Sequence, residues 1–344
     1  IYARTIHFSG NHAFNILSLT DQYEKMTKDI PIAVASRSFS NHPILREELL
    51  KRYSNVSFNE SGRTLSGKEL INFLKGHTKA IIALENLTDE IFSALPELKV
   101  ISKYGVGLDT IDLDSMKRHG VLLGWVGGVN RRSVAELTLS FMISLLHKVS
   151  YACQEVRSGR WYQVRGHQLT GKTIGIIGCG HIGKELVKLL RPFDCKLLSY
   201  DIRDFPEFYR EYGVIPVNLE DLLRESDIVT LHLPLNDLTT NILNSEKLDL
   251  IKKGAFLINT ARGGLVDEAK LKEMLKTGQI AGAALDVFLH EPPEDLELLN
   301  LSNIIVTPHI GGSTEEAILA MGRAAIDGLD NAKEVSKIVP SYMR

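Results

Sequence analysis

The chain has 344 residues, 44% hydrophobic and 24% charged, with a formal net charge of −2 at pH 7. That length suits two domains, and the near-neutral balance supplies no global field to recruit nucleic acid or acidic membranes. No apolar run reaches the roughly 18 residues of a membrane span. The three cysteines, Cys153, Cys179 and Cys195, show neither CxxC spacing nor a zinc-ligand pattern. They suit a reducing compartment, the cytoplasm, and no metal is expected.

Residues 1–25 begin with Ile1 and precede Met26. They lack the apolar core and cleavage site of a signal peptide, and read as an extension, a tag remnant or translated upstream sequence, with a packed helix as the alternative. The first convincing strand is Ile32–Ala35. Further strand-like runs are Ala80–Leu84, Lys99–Tyr104, Thr173–Gly178, Lys196–Tyr200, Ile228–Leu231, Ala255–Asn259, Ile280–Asp286 and Asn303–Thr307. Between them lie helical periodicities such as Lys184–Leu190 and Glu268–Lys276. That alternation predicts an α/β fold with parallel sheets and crossover helices. A long helix is expected from Ser133, where Ser133 and Glu136 match a capping box, to about Val149. It is too apolar for a lone surface helix and should be buried, in part against another subunit.

The strongest local signal is Thr173–Gly183, TIGIIGCGHIG. An apolar strand runs into Gly178, Gly180 and Gly183, which suit a tight turn, a close approach to pyrophosphate and close helix–strand packing. The helix that follows offers free amides and a positive dipole to phosphates. Asp201 stands 23 residues after Gly178, at the end of the next strand. A carboxylate there accepts from the ribose hydroxyls of NAD and repels the 2′-phosphate of NADP. Arg203, two residues on, reads as a solvated surface residue that could soften that preference.

Three further groups stand just past predicted strands, where open α/β sheets bind ligands: Arg262, Glu291 and His309. Each alone has a bland reading as an ion-pair partner, a loop carboxylate or a turn residue. Together, downstream of a dinucleotide fingerprint, they suit oxidation of an alcohol. His309 would take the hydroxyl proton near neutral pH, Glu291 would hold one tautomer and stabilise the imidazolium, and the planar guanidinium of Arg262 would grip a carboxylate beside a carbonyl.

From about residue 31 to 335, the chain resembles the D-isomer-specific 2-hydroxyacid dehydrogenase family, which includes D-3-phosphoglycerate, glyoxylate/hydroxypyruvate and D-lactate dehydrogenases. The shared motifs are KYGVGLDTIDL at Lys103–Leu113, SVAELTL at Ser133–Leu139, the glycine fingerprint, LHLPL at Leu231–Leu235, NTARGGLVDE, LDVFLHEPP and TPHIGG. The resemblance implies two Rossmann-like domains with doubly wound parallel sheets. An NAD-binding domain at residues 125–308 would be inserted into a substrate domain of residues 26–124 and 309–344. It implies that His309 is the acid/base, Glu291 its partner and Arg262 the substrate clamp. Lys103, Tyr104, Gly105, Val106 and Gly107 would form the substrate loop, with backbone amides around Val106 and Gly107 on the carboxylate. Cofactor contacts would come from Gly178, Gly180, His181, Ile182, Gly183, Asp201, His232, Pro234, Thr239, Thr260, Ala261, Asp286, Gly311 and Gly312, with Thr260 and Asp286 toward the nicotinamide. The Ser133 helix resembles the family's dimerisation helix, so a homodimer is expected.

Two stretches depart from the family. Where members often carry Thr-Pro-Gly, this chain reads Gly124-Trp125-Val126-Gly127-Gly128-Val129. Phosphoglycerate dehydrogenases tend to place an Arg after the strand matching Ala80–Leu84; here Leu84-Glu85-Asn86 stands there. Glu85 should repel a phosphate, which favours a small unphosphorylated keto acid. The chain ends near the end of the expected catalytic core, so no regulatory domain is expected after it. Two rival readings are a formate dehydrogenase, disfavoured because those enzymes pair the histidine with Gln, and a cofactor-sensing interaction protein with little turnover.

Overall fold

The computed structural model describes residues 29–341, and the expectation for residues 1–25 lies outside them. The chain divides into two compact units, one running to Val126 and resuming at Met321, the other comprising Gly127–Ala320.

The first unit holds a five-stranded parallel sheet of β1 (Ile32–Val34), β2 (Val56–Phe58), β3 (Lys79–Ile82), β4 (Val100–Lys103) and β5 (Leu122–Gly124), in the order β2-β1-β3-β4-β5. Its central strands are mostly apolar and buried, as expected of a sheet covered on both faces; Ile32, Ala33 and Val34 are fully buried. The chain returns to this sheet at its end. Ser102 Oγ donates to the Ala325 carbonyl at 2.6 Å, and Leu123 and Lys333 exchange backbone hydrogen bonds of 2.8 and 3.0 Å. The end of the chain is thereby bonded into the first unit.

The second unit holds a seven-stranded parallel sheet. Its strands are β6 (Thr173–Ile177), β7 (Lys196–Tyr200), β8 (Val214–Pro216), β9 (Ile228–Leu231), β10 (Phe256–Asn259), β11 (Gly282–Leu285) and β12 (Ile304–Val306), in the order β12-β11-β10-β9-β6-β7-β8. The order reverses between β6 and β9, the switch point where doubly wound sheets open a crevice. Alternate residues serve two cores: Ile177, Leu231 and Leu257 on one face, Ile176, Ile228 and Ile258 on the other.

The long helix is Arg131–Leu146. It begins two residues before the expected start, and the capping box does not form. Asn130 is the N-cap without a side-chain bond, and Ser133, inside the first turn, gives its hydroxyl to the Gly311 carbonyl. Phe141, Met142, Leu145 and Leu146 join the core of their own unit, so one subunit covers much of this helix. The apolar surface left open lies in the next segment: the helix Val149–Arg157 has no buried residue, and Trp161 is 87% exposed.

By packing, the second unit extends to Ala320, beyond His309. The reason is local. Asp286 accepts from the N–H groups of Ile310 and Gly311 at 2.8 and 2.7 Å, which ties the turn carrying His309 to the seven-stranded sheet.

Candidate active site

The glycine turn stands at the carboxyl end of β6, beside the switch point. Gly178 has φ 96°, and a Cβ on Gly183 would lie 2.3 Å from the Gly178 carbonyl oxygen. Only glycine lets the helix His181–Leu190 start this close to the strand. Asp201 follows β7 directly, with its side chain 5% exposed. One of its oxygens accepts from Cys179 N–H and the other from Arg203 N–H, both at 2.8 Å. A carboxylate has about four acceptor sites, so room remains for ribose hydroxyls. Arg203 is not a solvated bystander: its Nε lies 3.5 Å from Asp201 Oδ1, and its guanidinium passes within 3.3 Å of where a Gly180 Cβ would stand.

Desolvation and the charges of Arg131, Arg203 and Lys184 hold the His181 pKa below its ordinary value. These three cations and the helix N-terminus make the turn receptive to a diphosphate. Burial pushes the Cys179 thiol up to about 11, so it stays protonated and unreactive. A dinucleotide fits the turn.

Several expected cofactor contacts also build the site. Burial brings His232 down to about 3, so it is neutral. Its Nε2 meets Thr230 Oγ1 at 3.2 Å, and its buried Nδ1 has no partner among the described residues. Thr239 Oγ1 donates to the Pro234 carbonyl at 2.7 Å and shapes its own loop. Thr260 Oγ1 pairs with Thr138 Oγ1 at 2.9 Å, and Ala261 N–H donates to Asn259 Oδ1 at 3.1 Å. Ile182 and Gly312 are half-buried. Asp286 is 1% exposed and receives Thr307 Oγ1 as well as the Ile310 and Gly311 amides. It therefore organises the His309 turn; sequence reasoning missed that role, because its three donors lie more than twenty residues away in the chain.

Arg262, Glu291 and His309, the expected catalytic residues, follow the carboxyl ends of neighbouring strands. Asn259, Leu285 and Val306 are register partners on β10, β11 and β12, and the loops of Arg262, Glu291 and His309 follow them. Glu291 Oε1 accepts from Phe288 N–H at 3.2 Å, and Glu291 Oε2 meets His309 Nδ1 at 2.9 Å. The expected pair is formed, and both side chains remain partly exposed. Arg262 Nη1 donates to the Ala261 carbonyl at 2.7 Å. Its loop abuts that of Glu291: a Cβ on Gly263 would overlap the Phe288 carbonyl oxygen at 1.9 Å.

In the first unit, Lys103 does not present its ammonium. It is 5% exposed and donates to the Ala83 carbonyl and, at 3.3 Å, to Thr110 Oγ1. Tyr104 is 8% exposed, its ring edge-on to Phe39. The expectation for Glu85 needs correction. Its carboxylate folds back to accept the Ala83 N–H at 2.6 Å, and it is 1% exposed. The side chain displayed after β3 is Leu84, 63% exposed.

Residues 139–311 match the model of the D-isomer specific 2-hydroxyacid dehydrogenase, NAD binding domain. A hydroxypyruvate reductase of Thermotoga maritima is 39% identical over 241 residues, covering 69% of this chain and 78% of the relative. The chain belongs to the D-2-hydroxyacid dehydrogenase family. The matched domain binds NAD, and the match lies within the seven-stranded unit. A D-3-phosphoglycerate dehydrogenase of Methanocaldococcus jannaschii is 38% identical over 282 residues, covering 81% of this chain and 54% of the relative. This family member spans about half the length of the curated D-3-phosphoglycerate dehydrogenases it matches. Among solved structures, a D-lactate dehydrogenase of Aquifex aeolicus complexed with NAD and lactic acid superposes with a TM-score of 0.78 at 29% identity. It covers 87% of this chain and 94% of that one. Among the described residues no helix is long and apolar enough to cross a membrane.

Proposed function

We propose that the chain is an NAD-dependent oxidoreductase that interconverts a D-2-hydroxy acid and its 2-keto acid, with His309 as acid/base, Glu291 as its partner and Arg262 as substrate clamp. The observation that carries this reading is the 2.9 Å contact of His309 Nδ1 with Glu291 Oε2, on the sheet that bears the glycine turn. With Nδ1–H directed to the carboxylate, neutral His309 keeps Nε2 as the acceptor for a hydroxyl proton. NAD held at the Gly178–Gly183 turn would supply the hydride acceptor or donor. In oxidation, Nε2 takes the hydroxyl proton as the carbonyl forms, and Glu291 stabilises the imidazolium. In reduction, Nε2–H returns that proton to the carbonyl oxygen. Arg262 orients the substrate carboxylate and carbonyl through its planar fork. The seven-stranded unit is the cofactor domain and the five-stranded unit the substrate domain. The Gly105–Gly107 amides serve the substrate carboxylate, and the dimer and the cytoplasmic setting belong to the same reading.

The test is oxidation of NADH by the purified chain with a panel of 2-keto acids. Turnover of none would sink the reading. Within the panel, glyoxylate or hydroxypyruvate should exceed 3-phosphohydroxypyruvate in kcat/KM. The reason differs from simple repulsion by Glu85. The segment after β3 displays apolar Leu84 and no cation, and Lys103 is occupied beneath the loop. The reverse ranking would restore a phosphorylated substrate.

A further inference from the structure

The loop after β4 is fastened on both sides of Gly105, Val106 and Gly107. Tyr104 N–H donates to the Ile82 carbonyl at 2.8 Å, and Leu87 N–H to the Thr110 carbonyl at 2.8 Å. Lys103 braces the loop through Ala83 and Thr110. Between these anchors, the N–H groups of Gly105, Val106 and Gly107 have no acceptor among the described residues. Three adjacent unused donors form a binding element for an anion. A side chain reaches this stretch: Trp125 Nε1 donates to the Val106 carbonyl oxygen at 2.9 Å. Trp125 is half-buried and lies in the Gly124–Val129 stretch where this chain departs from the family's usual Thr-Pro-Gly.

The physical consequence follows from peptide geometry. In a trans peptide, the carbonyl of one residue and the N–H of the next point to opposite sides of one rigid plane. A donor that holds the Val106 oxygen therefore also sets the direction of the Gly107 N–H. The restraint matters here because glycines flank Val106: Gly105 already has φ +129°, and neither glycine has a Cβ to limit rotation of the plane. Without the indole, the peptide could turn its oxygen toward an incoming anion and repel it.

We propose that Trp125 is a positioning residue for the substrate carboxylate, its indole N–H holding the Val106–Gly107 peptide in the orientation that presents the Gly107 N–H. The inference rests on the 2-keto acid reading above. It names a part of the substrate common to every 2-keto acid, so the effect of losing the indole N–H should not depend on the rest of the substrate.

The test uses the whole chain in a Trp161→Phe background, which leaves Trp125 as the sole tryptophan. Trp125 is replaced by Phe or, to keep both rings while removing the N–H, by β-(3-benzothienyl)alanine. KM for each accepted 2-keto acid and the Ki of oxamate against it should rise about 3- to 10-fold, the scale of one neutral hydrogen bond. The Kd of NADH should stay within twofold of the parent. In the parent, oxamate binding to the NADH complex should change the Trp125 emission. Unchanged KM and Ki in the benzothienyl variant would overturn the proposal. So would a parallel loss of NADH affinity and thermal midpoint, which would mark the ring as packing alone. Turnover by the parent with no effect in the variants defeats this inference and spares the functional reading; absence of turnover in the parent removes both.

Discussion

His309 owes its poise to neighbours more than to its own backbone, which sits at φ +55°, a conformation non-glycine residues seldom adopt. The turn is held there by Asp286 and by Glu291. His309→Ala should lower turnover roughly 10²–10⁴-fold, the usual scale for one general acid–base group, while the NADH titration stays unchanged. Near-normal turnover would show that another group moves the proton. Arg203 lies against Asp201, so the acid proposed to receive the ribose hydroxyls also holds the cation. NAD(H) should bind more tightly than NADP(H). Asp201→Gly would release Arg203 toward a 2′-phosphate, and the Kd for NADPH should fall roughly tenfold, as for one charge-assisted hydrogen bond. Equal binding of the two cofactors by the parent would mean that Arg203 already overrides the carboxylate.

At the scale of elements, β9 is followed by a buried histidine whose neutrality is part of folding. His232 falls to about 3 in the folded chain because burial disfavours its charged form. Its unfolded value is near 6.5. Its contribution is therefore fully present above pH 6.5 and is lost as pH falls through the window down to about 3. At pH 5 the difference is about 2 kcal/mol. Urea unfolding of the parent and of His232→Gln at pH 7.5 and pH 5 should show the parent losing about that much more on acidification. Parallel losses would mean that the imidazole is not held neutral. The strands that escaped sequence reading, β2, β5 and β8, have three residues each and lie at sheet edges. A three-residue run carries too little periodicity to separate a strand from a loop. The central strands, buried on both faces, were legible as mostly apolar runs.

For the whole molecule, the open question is what covers the segment after the helix Arg131–Leu146. Val149 and Val156 are about half exposed, with Trp161 and Tyr162 close behind in the chain. Exposed apolar side chains in such number mark an interaction surface. A second copy of this chain should cover them, and sedimentation equilibrium at micromolar concentration should return twice the mass of the chain. Trp161→Arg should shift that equilibrium toward monomer. A monomer for the parent would refute the assembly. The expectation that the long helix itself carries the uncovered surface was only partly right, because that helix packs its aromatic and aliphatic face on its own sheet.

The sequence by itself determined the parallel α/β architecture, the glycine turn, the acid just past β7 and the choice of Arg262, Glu291 and His309 as candidates. Each of these is a local pattern: an apolar run, a spacing, or a residue type that suits one chemistry. Only the tertiary structure decided how those residues are used. Glu291 and His309 are far apart along the chain and meet because β11 and β12 are neighbours. Asp286 acts as the anchor of the His309 turn, Glu85 is folded back on its own backbone, and Trp125 reaches Val106. These outcomes depend on which backbone donors and acceptors lack a partner once the sheets have formed. Sheet order and register set that supply, and neither can be read from neighbours in sequence.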